Sequence, residues 1–166
     1  MENLWAPWRM AFIEPKTPSP SGCIFCMQPI EHEDEKYHIL HRGEHCFMML
    51  NLYPYNNGHL MIAPYGHVGA LDQLSAETLA DMMAQAQLAM QAMRQAMRPD
   101  GFNMGMNQGK VAGAGFADHI HFHIVPRWNG DTNFMPVIAD IKVMPEHLDI
   151  VYQKLLQALT EIKSQP

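Results

Sequence analysis

The sequence predicts an α+β domain built on an antiparallel sheet, with one long helix and a second helix near its C-terminus. Three observations predict it. Short apolar runs bounded by turn residues read as strands at 46–51, 59–63, 102–106 and 119–126. Between residues 75 and 98 the apolar spacing switches to steps of three and four, and the same spacing returns over 146–164. Strands, a long helix, more strands and a closing helix in that order form an α+β pattern rather than a regular alternation of strand and helix.

The elements follow in turn. Cys46-Phe-Met-Met-Leu-Asn51 is apolar enough for a buried strand. Tyr53-Pro-Tyr-Asn-Asn-Gly58 comes next, and its Asn-Gly pair favours a turn because both residues tolerate left-handed backbone. His59-Leu-Met-Ile-Ala63 then reads as the returning antiparallel strand. In the long helix, Leu79, Met82, Met83, Ala86, Met90, Met93 and Met97 form an apolar stripe. Ser75 is its N-cap, Glu77 complements the helix dipole in the first turn, and Pro99-Asp-Gly101 stops it. The stripe reads as core or subunit contact, with an adaptable binding groove as the alternative. Phe102-Asn-Met-Gly-Met106 resumes the strands, and Leu148, Val151, Tyr152, Leu155, Leu156 and Leu159 line one side of the closing helix. Prolines at positions 7, 15, 18, 20 and 29 make residues 1–30 an irregular arm, on which Trp5 and Trp8 serve as anchors.

Composition narrows the function classes. At 166 residues, 48% apolar and 17% charged, the chain is read as a single domain over 1–166. A net charge of -6 lacks the electrostatic footprint of a nucleic-acid binder. No run approaches the ~18 apolar residues of a membrane span, and the N-terminus lacks the apolar stretch of a secretory signal. Three cysteines are too few and too odd for a disulfide scaffold. A cytoplasmic protein is expected, with no membrane or nucleic-acid partner. Cys46 reads as a small buried residue.

The chemistry is concentrated in His119-Ile-His-Phe-His-Ile-Val-Pro126. On a strand, His119, His121 and His123 share one side, about 6–7 Å apart, while Ile120, Phe122 and Ile124 share the other, expected to be the buried one. Two such histidines can ligate one zinc and leave a position open for water. Alternatively one imidazole is a nucleophile and its neighbours orient it. Imidazole is partly neutral near pH 7, which suits attack on phosphorus. The adjacent Gly109-Lys-Val-Ala-Gly-Ala-Gly115 is small and flexible, so its backbone N–H groups can approach phosphate oxygens. Cys23-Ile-Phe-Cys26 has zinc-hairpin spacing, with a redox pair as its rival.

The triad segment resembles the signature of the histidine-triad (HIT) superfamily of nucleotide hydrolases and transferases. Asn51-Leu-Tyr-Pro-Tyr-Asn-Asn-Gly-His59-Leu-Met-Ile-Ala-Pro and Asn107-Gln-Gly carry the likeness upstream, so that it covers residues 23–128. The resemblance implies an α+β half-barrel that pairs into homodimers, with the methionine-rich helix at or near the subunit contact. It implies that His121 attacks an α-phosphorus and forms a nucleotidyl-imidazole. His123 then donates to phosphate oxygens, Asn51 makes a ribose-side or structural contact, and His59 supports the triad from behind. A backbone carbonyl accepting Nδ1–H of His121 would keep Nε2 nucleophilic. The resemblance also completes a zinc site: His67 and His119 join Cys23 and Cys26 as four structural ligands.

The family's hydrolases carry Ala-Gly-Gln-Ser/Thr before the histidines. Here Ala112-Gly-Ala-Gly-Phe-Ala-Asp118 has neither glutamine nor hydroxyl. With Gly113, Ala114 and Gly115 leaving room for an inorganic phosphate, the chain is most similar to the bacterial diadenosine tetraphosphate phosphorylase (ATP adenylyltransferase) branch. Asn107 would then lie near the scissile phosphate, Lys110 would add charge, and a divalent metal could accompany the substrate. Arg127 and Trp128 are read either as a phosphate contact with an aromatic platform or as a surface stack. Three alternatives stay open: hydrolysis of dinucleoside polyphosphates or nucleoside phosphoramidates, a zinc-dependent hydrolase with its metal on the triad, and a nucleotide-binding module.

Overall fold

A computed structural model describes residues 22–132 and 144–164. The expectations for Trp5 and Trp8 lie outside the described residues. The elements in chain order are α1 (Ile24–Ile30), β1 (Ile39–Arg42), β2 (Cys46–Leu50), β3 (Leu60–Pro64), α2 (Ala76–Met97), β4 (Gly101–Met106), β5 (Phe122–Arg127) and α3 (Leu148–Ser164). The five strands form one antiparallel sheet in the order β1-β2-β3-β5-β4. The α+β expectation holds.

β2 and β3 pair from Cys46 with Pro64 to Leu50 with Leu60, and the chain between them closes as the Asn-Gly signal implies. The His59 N–H donates to the Asn56 carbonyl at 3.1 Å across Asn57-Gly58. Gly58 sits at φ +76°, the left-handed backbone that favours glycine, with the Met97 side chain packed beside it.

One face of the sheet carries Met48, Leu50, Leu60, Ile62, Phe122 and Ile124, every second residue of three neighbouring strands. α2 and α3 cover that face with Met82, Ala86, Ala89, Met93, Val151, Tyr152, Leu155 and Leu159. Each large apolar side chain buried there contributes roughly 1.5–3 kcal/mol. Met83 departs from the expected stripe and is exposed, while Gln85 is buried in its place. The reason is polar: Gln85 Nε2 donates to the Cys46 carbonyl at 2.8 Å, and Asp81 accepts from the His45 N–H at 2.7 Å. These two side chains hold the start of β2 against the helix. Ser75 caps α2 by accepting from the Thr78 N–H at 3.1 Å.

The opposite face carries Ile39, Phe47, Met49, Met61 and Ala63, and Phe25 of α1 closes it. The sheet is therefore buried on both sides at its centre. Three expectations are corrected here. The segment 1–30 is not irregular at its end, because Phe25 and the buried Pro29 give 24–30 an apolar side that docks as helix. β1 is an additional strand. It begins after His38 turns through φ +53° and contains a register irregularity between Ile39 and His41, which hides its alternation in the sequence. α3 begins at Leu148 rather than 146, and Glu146 instead accepts from Asn57 Nδ2 at 3.2 Å.

Candidate active site and metal cluster

Regular strand begins at Phe122, three residues later than expected, because residues 119–121 are drawn aside. The Ile120 N–H donates to the Val68 carbonyl at 2.6 Å instead of joining the sheet ladder. The three histidines nevertheless stay on one side. His121 and His123 have ring centroids 4.8 Å apart. Their side is also buried, contrary to the expectation of a single buried face: His119 and His121 are 1% and 5% exposed. The cause is α1, whose Phe25 ring lies against both.

The hydrogen bonds fix the tautomers, since carbonyls only accept and backbone N–H groups only donate. Nδ1 of His121 lies 2.9 Å from the His119 carbonyl, so Nδ1 carries the proton and Nε2 the lone pair. Burial lowers the His121 pKa, partly offset by that carbonyl, and keeps the ring neutral. At His59, Nδ1 accepts from the Tyr55 N–H at 3.0 Å. Its Nε2–H therefore donates to Nδ1 of His123, 2.9 Å away. That bond leaves the His123 proton on Nε2. His59 is fully buried, and Tyr55 packs on it with ring centroids 4.5 Å apart.

Asn51 ends β2 and turns the chain, its Oδ1 accepting from the Tyr53 N–H at 2.9 Å while its amide reaches His59. Asn107 follows Met106, whose partner Phe122 comes directly after His121, so Asn107 and His121 both lie just beyond the last pair of the β4–β5 ladder. Ala114 and Gly115 line a cleft of about 320 Å³ together with Cys23, His67, Lys110 and His119. Gly113 closes the preceding turn at φ +84°. The loop thus opens beside the cysteine–histidine cluster.

In that cluster, Cys23, Cys26, His67 and His119 place one donor atom each within 4.8 Å of one another. His119 donates Nε2–H to the Pro64 carbonyl at 2.9 Å, which turns the Nδ1 lone pair toward Cys23 Sγ at 3.3 Å. Nδ1 of His67 lies 3.3 Å from Cys26 Sγ. Two sulfurs and two ring nitrogens at this spacing, with the His119 lone pair already turned inward, fit a tetrahedral zinc. Burial and the neighbouring Cys23 push the Cys26 thiol up. Of the triad, this cluster uses His119 alone among the described residues.

Arg127 is engaged away from the histidines, with Nε 2.5 Å from Asp131 and Nη1 2.9 Å from Asn103. Trp128 Nε1 donates to the carbonyls of Met97 and Arg98 and so caps the end of α2. Sequence reasoning missed Phe25 and Tyr55. Phe25 sits inside the Cys-x-x-Cys spacing and Tyr55 four residues before His59, and those positions were the available signals.

A family model described as HIT domain matches residues 32–130. The chain is 40% identical over 154 residues to an AP-4-A phosphorylase of Mycobacterium tuberculosis (strain CDC 1551 / Oshkosh), covering 89% of this chain and 79% of that one. It is 26% identical over 134 residues to an adenosine 5'-monophosphoramidase of Schizosaccharomyces pombe, covering 81% and 96%. Among solved structures, it is similar to a Zn-bound histidine triad family protein from Mycobacterium smegmatis, with a TM-score of 0.68 and 30% identity over 86% of this chain and 96% of that one.

Proposed function

The chain belongs to the HIT-domain family, and from that premise we propose that it is a nucleotidyltransferase converting diadenosine tetraphosphate and inorganic phosphate into ATP and ADP. The observation that carries the reading is the bond from His121 Nδ1 to the His119 carbonyl, because it leaves Nε2 as the nucleophile.

Nε2 of His121 attacks an α-phosphorus. An N–P bond forms as the bond to the bridging oxygen breaks, and the departing ATP takes the electron pair. The ring becomes cationic while its Nδ1–H remains on the His119 carbonyl, which stabilises the charge. His123 donates Nε2–H to the phosphate oxygens, held in that tautomer by His59. A phosphate oxygen then attacks the same phosphorus, the N–P bond breaks, and ADP leaves with the Nε2 lone pair restored. Asn107 sits on the reacting side, and Asn51 supports His59. Ala114 and Gly115, with Lys110 on the same cleft and Gly113 closing the turn before them, receive the incoming phosphate.

Zinc would be held by Cys23, Cys26, His67 and His119 as a structural ion that fastens α1 to the triad segment. The cytoplasm suits this ligand set, because reducing conditions keep both cysteines available. Among the described residues, no helix is long and apolar enough to cross a membrane. A homodimer is supported by β4, which among the described residues has a neighbour on one side only and exposes Met104.

A second reading, hydrolysis, is supported by the likeness to the monophosphoramidase. Product analysis separates the two. Diadenosine tetraphosphate is incubated with and without phosphate, alongside the variant His121→Ala. ATP plus ADP formed only with phosphate is the expected result. ATP plus AMP in both buffers would make the protein a hydrolase.

A further inference from the structure

We propose that Phe25 is a positioning residue for His121, and that it ties the heading of the reacting imidazole to the Cys23, Cys26, His67 and His119 cluster. The inference rests on the proposed function for its kinetic part and on geometry alone for the rest.

The imidazole of His121 is held at one atom, Nδ1, by a 2.9 Å bond to the His119 carbonyl. One hydrogen bond leaves a flat ring free to tilt about it, and tilting swings the lone pair on Nε2. Packing must supply the remaining restraint. The Phe25 ring lies on His121 with centroids 4.6 Å apart and planes inclined by 33°. His123 stands on His121 at 4.8 Å and 72°. Phe25 is itself boxed in, edge-on to Phe116 at 5.6 Å, against His119 at 5.2 Å, and 1% exposed. Rings at these separations sit in the favourable range for aromatic contact.

Two of these three restraints on His121, the carbonyl and the phenyl ring, lead back to the cluster. The carbonyl belongs to His119, whose Nδ1 faces the two sulfurs. The ring belongs to the residue immediately before Cys26, on a helix of seven residues with no side-chain cap. So short a helix has little stability of its own. Ligation of Cys23 and Cys26 would therefore decide whether the turn carrying Phe25 stays seated. With a metal on Cys23 and Cys26, Phe25 would hold the His121 ring in place without the ion touching a reacting atom.

The test uses the full chain loaded with zinc and compares wild type with Phe25→Leu and Phe25→Tyr. Three quantities are read: zinc per chain, the steady-state constants for phosphorolysis of diadenosine tetraphosphate, and the proton shift of the His121 Cε1–H. In the expected result Phe25→Leu keeps its zinc and a KM within about threefold of wild type, and its kcat falls roughly 10- to 100-fold, the scale of a small misplacement. Phe25→Tyr, which keeps the ring, recovers most of the loss. The ring-current shift at His121 is present in wild type, is lost in Phe25→Leu, and is also lost when a chelator strips zinc from wild type. An unchanged kcat in Phe25→Leu overturns the proposal. So does a raised KM at constant kcat, which would make the ring a nucleotide contact. A His121 resonance indifferent to both the ring and the zinc also overturns it. Should Phe25→Leu not fold, zinc removal from wild type still reads the link. Should wild type turn over no dinucleotide, the proposed function fails while the resonance, which needs no substrate, decides the positioning.

Discussion

Nε2 of His59 lies 2.9 Å from Nδ1 of His123, and the shared proton belongs to His59 because the Tyr55 N–H occupies the other nitrogen. The pair orients a donor without adding a charge to the site. Replacing His59 by Phe keeps the bulk and removes the donor, so His123 can carry its proton on the wrong nitrogen. The loss in kcat should reach about 100-fold, the lower end of general-acid contributions. It should be larger for a phosphoramidate, whose nitrogen leaving group requires a proton, than for a dinucleoside polyphosphate. Parallel kcat measurements on the two substrates check this, and an equal loss would reduce His59 to packing.

Chemistry and metal binding should separate by residue. His121 takes no part in the cluster, so His121→Ala should lose at least about 1,000-fold in turnover and retain the zinc of the wild type. Cys26→Ala should lose the ion and melt at a lower temperature. Metal analysis beside thermal unfolding decides it. Zinc lost from His121→Ala would move the ion onto the triad.

The pairing of Arg127 with Asp131 gives stability a pH dependence. The guanidinium beside Asp131 holds its carboxyl well below the usual carboxylate range. A carboxyl depressed in the folded state stabilises above its unfolded value of about 3.9, and that stabilisation is lost as pH falls toward the folded value. The Arg127 side chain is 46% exposed, so solvent screening limits the gain. Asp131→Asn should cost about 1–2 kcal/mol at pH 7, with the gap to wild type narrowing below pH of about 4. Urea titrations at pH 7 and pH 3 measure both gaps. A gap that stays constant would mean that Asn56 Nδ2, 2.8 Å from Asp131, and the Trp128 N–H carry the effect.

Met93 is fully buried between α2 and the sheet. Met93→Ala should lower unfolding stability by about 2–5 kcal/mol through lost burial and the cavity left behind. The same substitution at Met83, which is 49% exposed, should stay within about 0.5 kcal/mol. A larger loss at Met83 that depends on protein concentration would reveal a subunit contact there.

The parts of this molecule legible in the sequence are those whose pattern repeats along the chain. The stripe from Met82 to Met93 and the alternation from Phe122 to Ile124 each declare a buried face by period alone. The site was legible where residue type limits chemistry, as at His121 and in the cysteine pair. What stayed hidden depended on contacts distant in sequence. Ile120 leaves the ladder for Val68, and Gln85 displaces Met83 from the buried side because the Cys46 carbonyl needs a donor. β1 was missed because its irregularity sits between Ile39 and His41.

The strand order also sets a timetable for synthesis. β5 lies between β3 and β4, so β4 leaves the ribosome before the strand it pairs with among the described residues. Until Phe122–Arg127 emerges, Gly101–Met106 has no ladder to join, and β3 presents a bare edge of its own. The strand that directly follows His121 is thus also the one that seals the nascent sheet. Pausing the ribosome just before it should leave a chain that chaperones bind avidly, and one that cannot yet form an adenylylated imidazole.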